Sequence, residues 1–151
     1  GGFSAASVRR SLEVVRGFSV LPLICYEAIF PDEMPYQGSA ANAIVNVTND
    51  AWYGDTPGPY QHFRQAQLRA VEQGLPMVRA ANNGLSAAVD PYGRIIDALA
   101  LDAVGVIDVQ LPGRADLPWG EAAHGTQFLV VLLAVLIVAL RYFLRSGRRL
   151  G

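Results

Sequence analysis

The sequence predicts an α/β domain with a mixed sheet, followed by a single C-terminal transmembrane helix, and three observations carry that reading. Two short apolar runs, residues 20–24 and 43–47, each end abruptly in polar residues, and the stretch between them suits a short helix. That is the spacing of a βαβ unit with parallel strands. Beyond residue 76 the apolar runs are instead separated by tight Asn, Gly, Pro and Asp turns, the mark of antiparallel hairpins. Finally, residues 128–140 run without one polar side chain.

Composition sets the frame. With 151 residues, 52% of them hydrophobic, the chain can bury one sizeable core, and disordered and collagen-like classes are excluded. The formal net charge of -1 conceals an asymmetry: residues 1–127 carry 8 Arg against 13 Asp plus Glu, whereas residues 128–151 carry 4 Arg and no acid. A mildly acidic body without a basic, aromatic-interleaved patch gives no reason to expect nucleic acid. A single cysteine excludes an internal disulfide framework and a Cys-rich zinc site. His62 and His124 lack partners at metal-site spacing and read as ordinary core or surface residues, so neither metal nor cofactor is expected. No lysine occurs, and the chain opens on Gly1-Gly2 with no initiator Met or signal segment, so it is expected to be a piece of a longer polypeptide.

Taken in order, residues 4–15 are weakly periodic and suit either a short helix or the continuation of an upstream element. Residues 20–24 form a buried strand, too short for a helix. Residues 32–37 suit a short helix opened by Pro31 and closed near Gly38. Residues 43–47, rich in β-branched side chains, form the second strand and end in Thr48-Asn49-Asp50. The Gly- and Pro-rich loop 51–59 carries Trp52 and Tyr53, which either wall an apolar substrate pocket or cap the core. Residues 60–73 form an amphipathic helix with Phe63, Ala66, Ala70 and Val71 on one face and Arg64, Gln65, Arg69 and Glu72 on the other, stopped by Gly74 and Pro76. Strands follow over 77–81 and 85–89, turning at Asn82-Asn83-Gly84, and after a turn at Asp90-Pro91-Tyr92-Gly93 a last strand is expected over 103–109. Helices cover one face of this sheet, and something must cover the other.

Residues 111–120 read as a linker. The window 125–144 contains one charge, Arg141, and twenty residues of helix span about 30 Å, the thickness of a hydrocarbon core. Trp119 and Tyr142-Phe143 suit interfacial anchors, and Arg145, Arg148 and Arg149 mark the cytoplasmic side. The expected domains are therefore a catalytic portion over 1–120 lying outside the cytoplasm, a membrane helix over 121–145 and a basic cytoplasmic tail over 146–151.

Cys25 is the candidate nucleophile. It stands where the first strand ends, and in open α/β sheets ligands gather beyond the carboxyl ends of strands. A thiol on a sharp turn there projects into the crevice, with the backbone N–H of Tyr26 facing a developing oxyanion. The competing reading is a small buried hydrophobe. A thiol of ordinary pKa near 8.5 is mostly protonated at neutral pH and needs a neighbouring base or cation. Glu27 suits either of two parts, orienting a partner or raising the thiol pKa by charge repulsion.

Ile24-Cys25-Tyr26-Glu27 with Phe30-Pro31, Asn49-Asp50-Ala51-Trp52-Tyr53-Gly54-Asp55 with Gly58-Pro59-Tyr60-Gln61-His62, and Arg79 with Asn82-Asn83-Gly84 together resemble the apolipoprotein N-acyltransferases, a membrane-bound family of the nitrilase (carbon-nitrogen hydrolase) superfamily. The resemblance runs from about Gly17 to the final helix. It implies the C-terminal part of an αββα sandwich, periplasmic and anchored in a bacterial inner membrane. It implies a reaction in which an acyl chain passes from a phospholipid to a cysteine thioester and then to the N-terminal diacylglyceryl-cysteine of an apolipoprotein. On this likeness Cys25 is the nucleophile, Tyr26 and Glu27 support the site, and Asn49, Asp50, Trp52 and Tyr53 bind substrate. The family's triad also has a glutamate base and a lysine upstream of the cysteine. Glu13 sits in no matching motif and lysine is absent, so this chain alone is expected to be inactive. The alternatives are a nitrilase-type amidase acting on a small amide, and a non-catalytic membrane-tethered module with a structural cysteine.

Overall fold

Both early apolar runs form strands, and they lie side by side and parallel, with a third strand completing the parallel core. This computed structural model describes residues 10–31, 34, 41–116 and 124–147. They fall into two units, divided after Asp116. In the first, six strands form one sheet in sequence order: β1 (Leu12–Val15), β2 (Phe18–Ile24), β3 (Ala43–Asn49), β4 (Met77–Asn82), β5 (Ala87–Val89) and β6 (Ile95–Ala98). β2, β3 and β4 are parallel, whereas β1–β2, β4–β5 and β5–β6 are antiparallel. The mixed sheet expected from the turn pattern is therefore present.

The amphipathic run becomes helix α1 (Gly58–Gln73), opened by Pro59 in its first turn and closed by Gly74 in the left-handed conformation (φ 61°). It packs Phe63, Ala66 and Ala70 into one core with Leu21 and Leu23 of β2, Ile44 of β3, Met77 of β4 and Ala87 and Val89 of β5. The helix is rotated relative to the expected face: Arg69 is buried and Val71 is exposed. At 100° per residue Arg69 stands about 20° from His62 and about 60° from Ala66, on the same side of the helix, while Val71 points away from both.

Along β2–β4 the inward side chains fall into layers because the period is two and the register exact across three strands. Leu21, Ile44 and Met77 pair across the sheet as an apolar layer. One step further toward the carboxyl ends, Leu23, Asn46 and Arg79 pair as a layer that turns polar. Pro22 is tolerated inside β2 because β1 pairs only with Phe18–Val20, leaving β2 an edge strand from Leu21 onward on that side.

Several expectations are corrected. Residues 12–15, left open as helix or continuation, are strand β1, a two-residue turn at Gly17 (φ 80°) bringing them back along β2. The expected last strand over 103–109 does not form. β6 occupies the free edge of β5 instead, and residues 103–109 have no neighbour to pair with among the described residues, leaving Val104 and Val106 exposed. The helix expected over 32–37 falls outside the described residues apart from Met34, as do the linker end at 117–120 and the Arg148-Arg149 pair.

The second unit is helix α2 (His124–Gly147). From Leu129 to Tyr142 every described side chain is exposed, although nearly all are apolar. Among the described residues no helix is long and apolar enough to cross a membrane; the helix expected over 125–144 is present, and its crossing of a membrane is not shown.

If the core is organised as these layers indicate, Leu23→Ala should lower unfolding stability by about 2–5 kcal/mol, because the side chain is wholly buried and leaves a cavity. Leu12→Ala, on an exposed strand, should stay within about 0.5 kcal/mol. Chemical denaturation of the two variants side by side is the measurement, and equal losses would contradict the layer assignment.

Candidate active site

Because β2, β3 and β4 run parallel in register, their carboxyl ends meet at one edge of the sheet, and the segments leaving that edge bring together most of the residues singled out in the sequence. Cys25 follows directly on β2 and opens a 3-10 turn (Cys25–Ile29). Its φ is 52°, a left-handed conformation that costs a non-glycine residue on the order of 1–3 kcal/mol. The turn is braced from within: a Glu27 carboxylate oxygen accepts a hydrogen bond from the Ile24 N–H at 2.7 Å. Of the two readings of Glu27, this contact favours orientation of the turn. Cys25 is half-buried rather than enclosed, which sets it apart from a core hydrophobe.

Behind the thiol lies a fully buried polar cluster. Arg79, on β4, donates from Nη2 to Asp50 Oδ2 at 2.7 Å, from Nη1 to Asn46 Oδ1, and from Nε to the Leu85 carbonyl at 3.3 Å. Asn46 donates in turn to the Leu23 carbonyl at 3.0 Å, so three strands are tied through one guanidinium. The second oxygen of Asp50 accepts from Thr48 Oγ1 at 3.1 Å and from His62 Nδ1 at 2.8 Å. A carboxylate only accepts, so the proton of His62 sits on Nδ1. The 3.2 Å approach of Arg79 Nη2 to that nitrogen is then a contact between two donors and not a bond. Nε2 of His62 is buried with no partner among the described residues, a state that costs about 1–3 kcal/mol.

Electrostatics follow from this burial. Desolvation pulls the Arg79 pKa below its ordinary value, and the contacts with Asp50 oppose it. Burial, together with the negative charge of Tyr26, Asp50 and Cys25 when ionised, pushes the Tyr53 phenol up, so it stays protonated at working pH.

The expected substrate residues separate. Trp52, in the short turn Ala51–Tyr53, is 83% exposed and available to an apolar ligand rather than capping the core. Tyr53 is half-buried, its ring against Gly58, where even a Cβ would stand 2.3 Å from the ring carbon. Asn49 is exposed, and its side-chain oxygen accepts from Ala51 N–H and Asn82 Nδ2. Asp50 differs from expectation: its carboxylate is completely buried and both oxygens are engaged, so it holds neighbours rather than meeting a substrate. Gly84 is required here because a Cβ would fall 2.3 Å from Asp50 Oδ2.

The sequence reading passed over Asn46, took His62 for an ordinary core or surface residue within a motif, and saw in Arg79 only a motif residue. The signal was present for two of them: Asn46 and Arg79 occupy inward positions of otherwise apolar strands, where an unpaired polar group is costly. Among the described residues no group of His, Cys, Asp and Glu is placed to hold a metal ion.

Comparison with known proteins completes the description. Residues 9–116 match the carbon-nitrogen hydrolase family. Over 149 residues the chain is 63% identical to a protein from Brucella melitensis biotype 1 named apolipoprotein N-acyltransferase, covering 99% of this chain and 28% of that one. It is 51% identical to a protein of the same name from Agrobacterium fabrum, with the same coverages. The chain thus spans little more than a quarter of these relatives' length. Among solved structures, a mutant amidase of the nitrilase superfamily from Nesterenkonia AN1 superposes with a TM-score of 0.50 at 21% identity, over 66% of this chain and 40% of that chain. At that identity the likeness speaks to the fold alone.

Asp50→Asn should destabilise the fold by about 3–5 kcal/mol, because it strands the Arg79 charge in a buried site. Thr48→Ala, which removes one of several bonds to the same carboxylate, should cost about 1 kcal/mol. Thermal or chemical unfolding of the full-length variants separates the two, and a neutral Asp50→Asn would show that the guanidinium is not confined as described.

Proposed function

Since the chain belongs to the carbon-nitrogen hydrolase family, we propose that it is the nucleophile-bearing part of an apolipoprotein N-acyltransferase. The observation that carries this reading is the likeness of nearly the whole chain to proteins of that name, joined to a half-buried thiol held at the strand-end rim above a buried ion pair. The amidase alternative is supported by a shared fold and nothing more specific.

In this reading Cys25 Sγ, as thiolate, attacks the ester carbonyl of a phospholipid. The S–C bond forms, the ester C–O bond breaks, and the lysophospholipid leaves with a proton on its oxygen. The α-amine of the diacylglyceryl-cysteine then attacks the thioester, the N–C bond forms, the C–S bond breaks, and the amine's proton returns to the site. The Tyr26 backbone N–H, at the start of a turn where the first N–H groups lack intrahelical partners, donates to the oxyanion of each tetrahedral intermediate. Glu27 holds the turn through the Ile24 N–H. Exposed Trp52 and half-buried Tyr53, with Asn49 beside them, form the substrate face, and Asp50 positions them from behind through the Tyr53 N–H on its carbonyl at 3.0 Å. The glutamate base and the lysine that the resemblance implies are assigned to the portion of the full-length protein preceding Cys25. The domain is the C-terminal part of the αββα sandwich.

The exposed apolar surface of α2 is assigned to lipid. The helix then spans a bacterial inner membrane over about residues 125–144, with the Arg-rich end in the cytoplasm and the catalytic portion in the periplasm. Arg141, Arg145, Arg148 and Arg149 without a neighbouring acid support this orientation.

Two experiments test these assignments. Incubated with phospholipid, the full-length protein should gain the mass of one acyl chain on Cys25, and Cys25→Ser should lower that adduct to background because an alkoxide is far harder to form at neutral pH than a thiolate. An adduct of undiminished yield on another residue would remove Cys25 from its role. For topology, a reporter that works only in the cytoplasm should be active when fused after Gly151, and a reporter active only in the periplasm should be silent there. The reverse pattern would overturn the orientation.

A further inference from the structure

The catalytic scheme above makes no use of His62, yet this side chain joins every segment of the rim. It comes from α1, it is 2% exposed, and its Nδ1–H is committed to Asp50. Its ring centroid lies 5.7 Å from that of Tyr26, in the turn opened by Cys25, and 5.8 Å from that of Tyr53, in the turn after β3. The tilts of 46° and 54° are intermediate between stacked and edge-on. The imidazole therefore stands as a wedge between the two turns.

The choice of imidazole is informative. Asp50 is already bonded by Arg79 and Thr48, and an Asn or Gln at position 62 can supply a further donor to it but not a ring between Tyr26 and Tyr53. The bond to Asp50 alone thus does not call for histidine, and Nε2, buried without a partner among the described residues, calls for a further reason. Cys25 supplies one: its positive φ survives only where the surroundings over-determine it. The groups facing the ring are Asp50 from the segment after β3, Arg79 from β4, Tyr26 from the Cys25 turn and Tyr53 from the loop.

We propose that His62 is a positioning residue for the reaction at Cys25, its ring holding the Tyr26 and Tyr53 turns at fixed separation while Asp50 fixes the ring. The proposal rests on the acyl-transfer reading for its kinetic consequence but not for its structural one. Removing the ring while keeping the donor to Asp50 should loosen both turns and leave the sheet intact.

The test compares the full-length wild-type protein with His62→Asn and His62→Gln, either of which can still donate to Asp50. Hydrogen exchange is followed peptide by peptide, and acylation of Cys25 by phospholipid is followed by mass. Expected are exchange at least ~10-fold faster in the segments 25–29 and 51–53 with protection of β3 and β4 unchanged, and acylation ~10-fold slower or more with unaltered KM for the phospholipid. The slowing should be uniform from pH 6 to 9, because a positioning ring has no protonation step in the reaction. Unchanged exchange in both turns in a folded variant would overturn the proposal, as would a general loss of protection across the sheet in both variants, which marks a merely structural residue. A slowing confined to one limb of the pH profile would also overturn it, by assigning the ring a proton-transfer part. Should the wild type itself form no acyl adduct, the acyl-transfer reading fails, and the exchange comparison still decides the role of His62.

Discussion

The arrangement depends on a single buried ion pair. Arg79 and Asp50 are both without solvent exposure at the side chain, and their 2.7 Å contact is the centre from which the other polar bonds radiate. A guanidinium in such a place is tolerable only if its N–H groups are used, and here Nη2, Nη1 and Nε reach a loop carboxylate, a β3 amide and the Leu85 carbonyl. The pair thereby converts a requirement of burial into a geometric one: β4, β3, the segment after β3 and, through His62, helix α1 must all stand in one relation. Substitution by apolar residues of like volume would serve stability as well or better, so the retention of charge is consistent with a need for a specific arrangement at the rim.

That arrangement is what a thiol site of this kind requires. The apolar layer of Leu21, Ile44 and Met77 supplies rigidity, and the next layer supplies the polar anchor just beneath the strand ends. Strain is held at Cys25, where a left-handed φ turns the chain sharply out of β2 and into the Cys25–Ile29 turn. The Glu27 carboxylate on the Ile24 N–H closes the turn from one side, and ring contacts of Tyr26 with Phe30 and His62 close it from the other. Tyr53 remains a neutral phenol beside the thiol because burial and the surrounding negative groups oppose its ionisation, so it adds no charge of its own near a forming thiolate.

The two units differ in where their apolar side chains point. In the first, apolar side chains point into a core between α1 and the sheet. In α2 the described apolar side chains point outward on all sides, which in water is unfavourable and in lipid is not. A helix apolar all round has no inside to face, and that is the physical content of assigning it to a membrane.

Local pattern alone made the centre of the fold legible. Short apolar runs bounded by polar and turn residues marked β2, β3 and β4, a 3.6-residue period stopped at Gly74 marked α1, and Asn83 at positive φ sat where the turn residues predicted. The position of Cys25 at a strand's carboxyl end followed from the same signals, since a strand boundary is written in neighbouring residues. What local pattern left undecided was pairing. Residues 12–15 became a strand because β2 offered an edge, and residues 103–109 did not because β6 had taken the edge of β5. The face of α1 shifted to bury Arg69 because the sheet, not the helix, sets which side is inward. The cluster behind Cys25 was least legible: Asp50 and Arg79 lie 29 residues apart, and Asp50 and His62 lie 12 apart. Whether an aspartate reads a substrate or anchors an arginine depends on which side chains the sheet register carries to it, and that register is a property of the assembled strands and not of any one of them.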